Sequence, residues 1–94
     1  MNAHNTYSFT YTLKLFGPLS EQLAQPEITI TLKNPTNPTN HTCADLFNQL
    51  AIDYPNLIPS LPTTRLAVNS QYAVDSTPIT TSDELALIPM ISGG

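Results

Sequence analysis

Side chains that ordinarily do chemistry are scarce in this chain. Its 94 residues include two histidines, one cysteine, seven acidic and three basic residues. His4 lies in a polar opening stretch. His41 stands beside Thr42, with no Cys, Asp or Glu repeating around it at a metal-ligand spacing, and reads as a surface or helix-capping histidine. Cys43 falls on an apolar stripe and reads as a buried thiol packing as a small hydrophobe rather than as a nucleophile. As the only cysteine it can form neither an internal disulfide nor a Cys-based zinc site. Asp83-Glu84 is an adjacent acidic pair, read first as a solvated turn and second as a partner contact. The three glycines, Gly17, Gly93 and Gly94, make no phosphate-cradling loop. No metal site is expected, and so few reactive groups do not fit an enzyme that works alone.

Two of those glycines are the last two residues. They follow a short apolar strand pattern, with Pro89 stiffening the exit. Fully extended, residues 89–94 reach at most about 20 Å. Without Cβ atoms, Gly93 and Gly94 leave the terminal carboxylate on a thin thread that a narrow active site of another protein can admit. A carboxylate is inert until activated. Adenylation converts it to a mixed anhydride that sulfide or another nucleophile can displace, and the carrier then needs no catalytic residue of its own.

Composition narrows the partners. A formal charge of −4 leaves little with which to neutralise phosphates, so nucleic acid and anionic membranes are disfavoured, and a basic protein groove is the better match. With 40% hydrophobic and only 11% charged residues, the chain lacks the signature of disorder. No apolar run approaches the ~18 residues of a membrane span, and the opening residues do not pattern as a signal peptide. The expectation is a cytoplasmic protein of one domain over 1–94, with 1–6 frayed and 90–94 an extended tail.

Positioning falls to a small set of elements. Tyr7 to Phe16 alternates strictly, with Tyr7, Phe9, Tyr11, Leu13 and Leu15 on one face, and predicts a strand ended by Gly17-Pro18. A short helical turn follows over Leu19 to Gln25. Glu27 to Leu32 predicts a second strand with Ile28, Ile30 and Leu32 inward. Residues 33–40, rich in Asn, Pro and Thr, predict a long exposed loop. Cys43 to Asp53 predicts the main helix, opened by a capping-box-like Thr42 and Asp45. Its apolar stripe comprises Cys43, Leu46, Phe47, Leu50, Ala51 and Tyr54, and Pro55 ends it. Asn56 to Thr64 reads as loop. Leu66 to Asn69 and Tyr72 to Val74 form a hairpin through Ser70-Gln71, and Leu85 to Ile88 is the last strand. The core should hold Leu13, Leu15, Ile30, Leu46, Leu50, Val68, Leu85 and Leu87. This ββαβββ order predicts an α+β fold: a mixed sheet of four to five strands with one main helix on one face, in the β-grasp arrangement whose first and last strands run parallel at the sheet centre. On that alternation Phe16 and Ile88 face away from the core, and with Met90 they are expected to form an exposed apolar patch beside the tail.

The order of elements, the segment Leu13-Lys14-Leu15-Phe16-Gly17-Pro18-Leu19, the stretch Leu66-Ala67-Val68-Asn69 and the ending from Asp83 to Gly94 resemble the ubiquitin-like small subunits of molybdopterin synthase, the MoaD-like sulfur carriers. The ending, Asp-Glu, hydrophobic strand, Pro-x-Ile-Ser-Gly-Gly, is the most specific part. Met90 stands where the family has a second proline, and Ser20-Glu21 where it has a basic residue. The resemblance implies that an adenylating enzyme uses ATP to charge Gly94 and that sulfur transfer leaves a Gly94 thiocarboxylate. With Gly93 giving the tail its freedom, Gly94 would then deliver sulfur inside a large catalytic subunit to cyclic pyranopterin monophosphate (precursor Z), forming the dithiolene that binds molybdenum. This chain would be the non-catalytic sulfur donor of a heterotetramer of two small and two large subunits. Phe16, Ile88, Met90, Ile91, Asp83 and Glu84 are the expected partner contacts. The alternatives are a thiazole-forming sulfur carrier of thiamine biosynthesis and a ubiquitin-like protein modifier.

Overall fold

Strict alternation sets the first strand, β1 (Tyr7–Leu15), whose Tyr11, Leu13 and Leu15 are buried while Thr10, Thr12 and Lys14 face outward. The computed structural model describes residues 7–34 and 41–90. The expectations placed on residues 1–6, on most of the Asn/Pro/Thr loop and on Ile91, Gly93 and Gly94 lie outside the described residues. After β1 come α1 (Pro18–Leu23), β2 (Glu27–Asn34), β3 (His41–Thr42), α2 (Cys43–Asp53), a 3₁₀ helix (Pro55–Thr63), β4 (Thr64–Val68), β5 (Gln71–Tyr72), β6 (Pro78–Ile79) and β7 (Leu85–Pro89).

Five strands make one mixed sheet in the order β2-β1-β7-β4-β5. β1 pairs antiparallel with β2 and parallel with β7, Leu13 opposite Leu85 and Leu15 opposite Leu87. First and last strands are therefore central neighbours, which is the β-grasp arrangement. A second, two-stranded sheet joins β3 to β6, His41 opposite Ile79.

α2 covers the inner face of the sheet. Thr42 and Asp45 complete a full capping box: the Asp45 N–H donates to Thr42 Oγ1 and the Thr42 N–H to Asp45 Oδ2 at 2.9 Å. Two otherwise unpaired donors of the first turn are thereby satisfied. Cys43, Leu46 and Leu50 are buried against Tyr11, Leu13, Ile28, Ile30, Leu66, Leu85 and Leu87, with Phe47 and Tyr54 packing at the margin. Leu19 of α1 and Leu57 of the 3₁₀ helix add to this core, and the Gln22 side chain donates to the Asn56 carbonyl at 2.9 Å, tying the two short helices together at one end of the sheet.

Four expectations need correction. The segment after Pro55 is a nine-residue 3₁₀ helix, not a loop; its prolines lack only donors that a short-turn helix partly dispenses with, and Leu57 anchors it. The β4–β5 turn is Asn69-Ser70, not Ser70-Gln71. Both residues have positive φ (52° and 71°), the geometry whose twist suits a two-residue hairpin. Asn69 is thus a turn residue, and β5 spans Gln71–Tyr72 rather than Tyr72 to Val74. Val68 is only half-buried, the one predicted core residue that is not enclosed. His41 is buried rather than at the surface: its Nδ1 shares a 3.1 Å hydrogen bond with the Tyr11 hydroxyl, and Phe9 meets its ring edge-on. A Tyr on the inner face of β1 needs a partner for its polar tip, and the imidazole is that partner.

Leu50 has no solvent exposure. Leu50→Ala is expected to lower unfolding free energy by about 2–5 kcal/mol in a denaturant titration; a loss below about 1 kcal/mol contradicts its place at the centre of the helix–sheet contact.

Candidate functional site

The central position of β7 fixes where the C-terminal residues leave the fold. Pro89 is the last residue of the strand, paired with Thr64 of β4. The next N–H, that of Met90, donates to the Thr63 carbonyl at 2.7 Å. Thr64 in turn donates its hydroxyl to the Ser60 carbonyl at 2.8 Å, tying the 3₁₀ helix to the root of the tail. Gly17, at φ +57°, turns the chain after β1 so that its Cα packs beside Pro89. A Cβ there would have room, so the backbone conformation and not crowding calls for glycine.

Phe16 precedes that turn and is 49% exposed. On the outer face of the sheet it shares a shallow recess of about 200 Å³ with Ile88, Ala86, Ala67, Lys14 and Glu84. Phe16 and Ile88 are thus brought together as their strand alternation implied. Met90 is exposed but does not line this recess. Lys14 and Glu84 bridge its rim at 2.8 Å, with both side chains more than half exposed. Their hydrogen bond, and then their mutual attraction, holds the Lys14 ammonium above and the Glu84 carboxyl below their ordinary pKa values. At the edge strand Arg65 stacks over the Tyr72 ring at 4.9 Å, which adds a second cation to the same face.

The acidic pair before β7 divides its labour. The Asp83 carboxylate accepts from Asn69 Nδ2 at 2.9 Å and from the Thr80 N–H at 2.7 Å. The Asn69 bond is the main reason its pKa falls below the usual carboxylate range. Asn69 also accepts from the Glu84 N–H at 2.9 Å, so one side chain clamps the start of β7 to the β4–β5 turn. Asp83 therefore holds the turn, while Glu84 reaches the rim of the recess beside Lys14. Sequence reading missed both the Asn69 clamp and the Lys14–Glu84 pair; the adjacency of β1 and β7, once expected, places residues 14 and 84 at neighbouring positions and was the available signal.

A larger apolar groove, about 510 Å³, lies on the helix side between α2 and the 3₁₀ helix, lined by Phe47, Ala51, Ile58, Leu61, Pro62 and Asp75. It holds no pair of reactive groups. Among the described residues no three His, Cys, Asp or Glu side chains are placed to share a metal ion, and no helix is long and apolar enough to cross a membrane. The chemistry that this arrangement can offer is presentation: an apolar patch with a charged rim on the strand, β7, that leads to the C-terminal residues.

Cys43 is buried on α2, as its stripe position implied. Burial, with a smaller contribution from Asp75, pushes the thiol up to about 11. Only the thiolate reacts, so alkylation of the folded protein at pH 8 is expected to be far slower than that of a free cysteine and to accelerate as the pH approaches 11 or in denaturant. Alkylation at pH 8 as fast as in denaturant contradicts the buried placement.

Comparison with known proteins gives three results. The sequence model of the ThiS family matches residues 13–94. The molybdopterin synthase sulfur carrier subunit of Arabidopsis thaliana is 34% identical over 94 residues, covering all of this chain and 93% of the relative. Among solved structures, SAMP1 from Haloferax volcanii superposes with a TM-score of 0.68 at 22% identity, over 90% of this chain and 99% of that one. Small archaeal modifier protein 1 from Methanosarcina acetivorans gives 0.67 at 19%, over 94% and 99%. At these identities the structural likeness speaks for the shared β-grasp fold.

Proposed function

The chain belongs to the ThiS family, and from that premise we propose that it is the sulfur carrier of molybdopterin synthase. The observation that carries this reading is the full-length likeness to a molybdopterin synthase sulfur carrier subunit, spanning this chain through its Gly93-Gly94 end. In the first step a Gly94 carboxylate oxygen attacks the α-phosphorus of ATP in an activating enzyme, and pyrophosphate leaves. Hydrosulfide or its protein-borne equivalent then attacks the acyl carbon, AMP leaves, and Gly94 carries a thiocarboxylate. No resident cofactor takes part.

The second stage is docking to a large catalytic subunit. The tail enters that subunit's active site and gives its sulfur to a pyranopterin precursor, while Phe16 and Ile88 seat the folded body against the partner. Support for this comes from the side-by-side placement of β1 and β7, which puts the apolar patch and the root of the tail on adjacent strands. Lys14 and Glu84 at the rim, with Arg65 on the same face, set orientation and encounter rate more than affinity. The large subunit supplies the catalytic side chains.

Two measurements test the reading. Incubation with activating enzyme, ATP and a sulfur donor is expected to add the mass of one oxygen-to-sulfur exchange to the intact chain. The same incubation with Gly94 deleted is expected to add nothing. The melting temperature should be unchanged by the deletion, since glycine has no side chain to bury. A ladder of heavier conjugates in place of the thiocarboxylate marks a protein modifier instead; thiocarboxylate that supports thiazole but not dithiolene formation marks the thiamine pathway.

Phe16→Ala is expected to weaken large-subunit binding by about 1–3 kcal/mol in calorimetry, the range for an aromatic at an interface centre. Unchanged affinity removes the patch from the interface.

A further inference from the structure

One edge of the main sheet is a long strand without a neighbour. β2 (Glu27–Asn34) is the terminal strand in the order, and among the described residues nothing pairs with its outer side. It contains no proline, and residues 27–33 alternate regularly between buried and exposed. A regular, unpaired edge of this length is a template for another strand.

The direction of its free backbone groups follows from the pairing with β1. The Leu15 N–H donates to the Pro26 carbonyl at 2.9 Å. In an antiparallel ladder, hydrogen-bonded positions alternate. Ile28, Ile30 and Leu32 therefore turn their N–H and C=O groups toward β1, in register with Leu13, Tyr11 and Phe9. Glu27, Thr29, Thr31 and Lys33 turn theirs to the open edge.

We propose that β2 pairs antiparallel with β2 of a second copy of this chain about a two-fold axis at Ile30, so that Glu27 of each copy meets Lys33 of the other. A two-fold interface must be self-complementary, and this register is. Thr29 meets Thr31 and Ile28 meets Leu32, while the outward-turned groups of Glu27, Thr29, Thr31 and Lys33 all find partners. Moving the register by one residue sets outward-turned groups against inward-turned ones. Moving it by two sets Glu27 or Lys33, according to direction, against a threonine and leaves the charges unmatched. Lys33 on an edge strand ordinarily discourages pairing, but here Glu27, six residues away, is its complement across the axis. Neither side chain is committed to a salt bridge elsewhere among the described residues. On the helix side of the same margin, Ile52 is 70% exposed and borders a recess with Leu32 and Lys33, which extends the apolar surface available to the second copy.

The test is the association state of the full chain by sedimentation equilibrium from micromolar to millimolar concentration. A monomer–dimer equilibrium is expected. Glu27→Lys and Lys33→Glu, each placing like charges at both ends of the seam, should raise the dimer dissociation constant about tenfold. Combining the two should restore it to within about threefold of the unaltered protein, because the pairing is regenerated with its signs exchanged. Thr31→Pro removes an outward-turned N–H, and with it an exposed hydroxyl bond to Thr10 at 3.0 Å, but no backbone bond to β1, and should leave a folded monomer. Far-UV circular dichroism and melting of each variant confirm that the fold is kept. A chain monomeric at millimolar concentration overturns the proposal. So does a dimer indifferent to Thr31→Pro, or a double exchange that fails to restore what the single ones lose.

Discussion

The parallel pairing of β1 with β7 is the contact on which the rest of the molecule depends. It joins the start of the described chain to its end, Leu13 to Leu85 and Leu15 to Leu87. Two parallel strands cannot be linked by a tight turn, so everything between them must serve as the connection. Both hairpins, β1–β2 and β4–β5, hang from this pair, on opposite sides. α2 lies over the sheet because Leu46 and Leu50 can be buried only against the side chains that β1, β2, β4 and β7 turn inward. The same pairing decides the function-bearing geometry, since it fixes the strand end from which the C-terminal residues depart.

How much of this was legible depended on whether the physics was periodic. β1, β2 and α2 declared themselves through alternation or a stripe, because each buries one continuous face. The α2 bounds fall where Thr42, Asp45 and Pro55 place them, since capping and termination are local. The 3₁₀ helix was hidden by its prolines: Pro55, Pro59 and Pro62 argue against an α-helix but not against a tighter one. The Asn69-Ser70 turn was hidden by composition, because Ser is an unusual occupant of a position with φ of 71°. Its stability comes from elsewhere, from the Asn69 side chain bonded to both Asp83 and Glu84. That is a tertiary fact which no window of neighbouring residues contains.

His41 shows the limit for the candidate site and for the core alike. Its neighbours in sequence are polar, so a surface role was the natural reading. Its neighbours in space are Tyr11 and Phe9 on β1, reached because β3 pairs with β6. Two-residue strands carry no periodic signal, so neither that pairing nor the burial of His41 could be seen beforehand. The patch at Phe16 and Ile88, by contrast, followed from alternation alone. Two strands whose facing residues were known needed only to be neighbours, and the central parallel pair made them so.

The sheet also keeps its surfaces apart. Its inner face is covered by α2 and the 3₁₀ helix, which leaves the outer face and, among the described residues, the β2 edge uncovered. The outer-face recess runs along β7 between β1 and β4, with Phe16 and Ile88 at the end nearer Pro89. The open edge is β2, separated from β7 by β1. A strand added there extends the sheet in its own plane, without laying anything across Phe16 or Ile88. The tail root is bound to the other side of β7, where Met90 reaches Thr63 beside β4. The proposed self-association through β2 and the proposed delivery through the tail would therefore draw on different backbone groups and opposite flanks of the central pair. A dimer formed that way presents two tails, which raises the effective concentration of the second for any partner that itself has two sites.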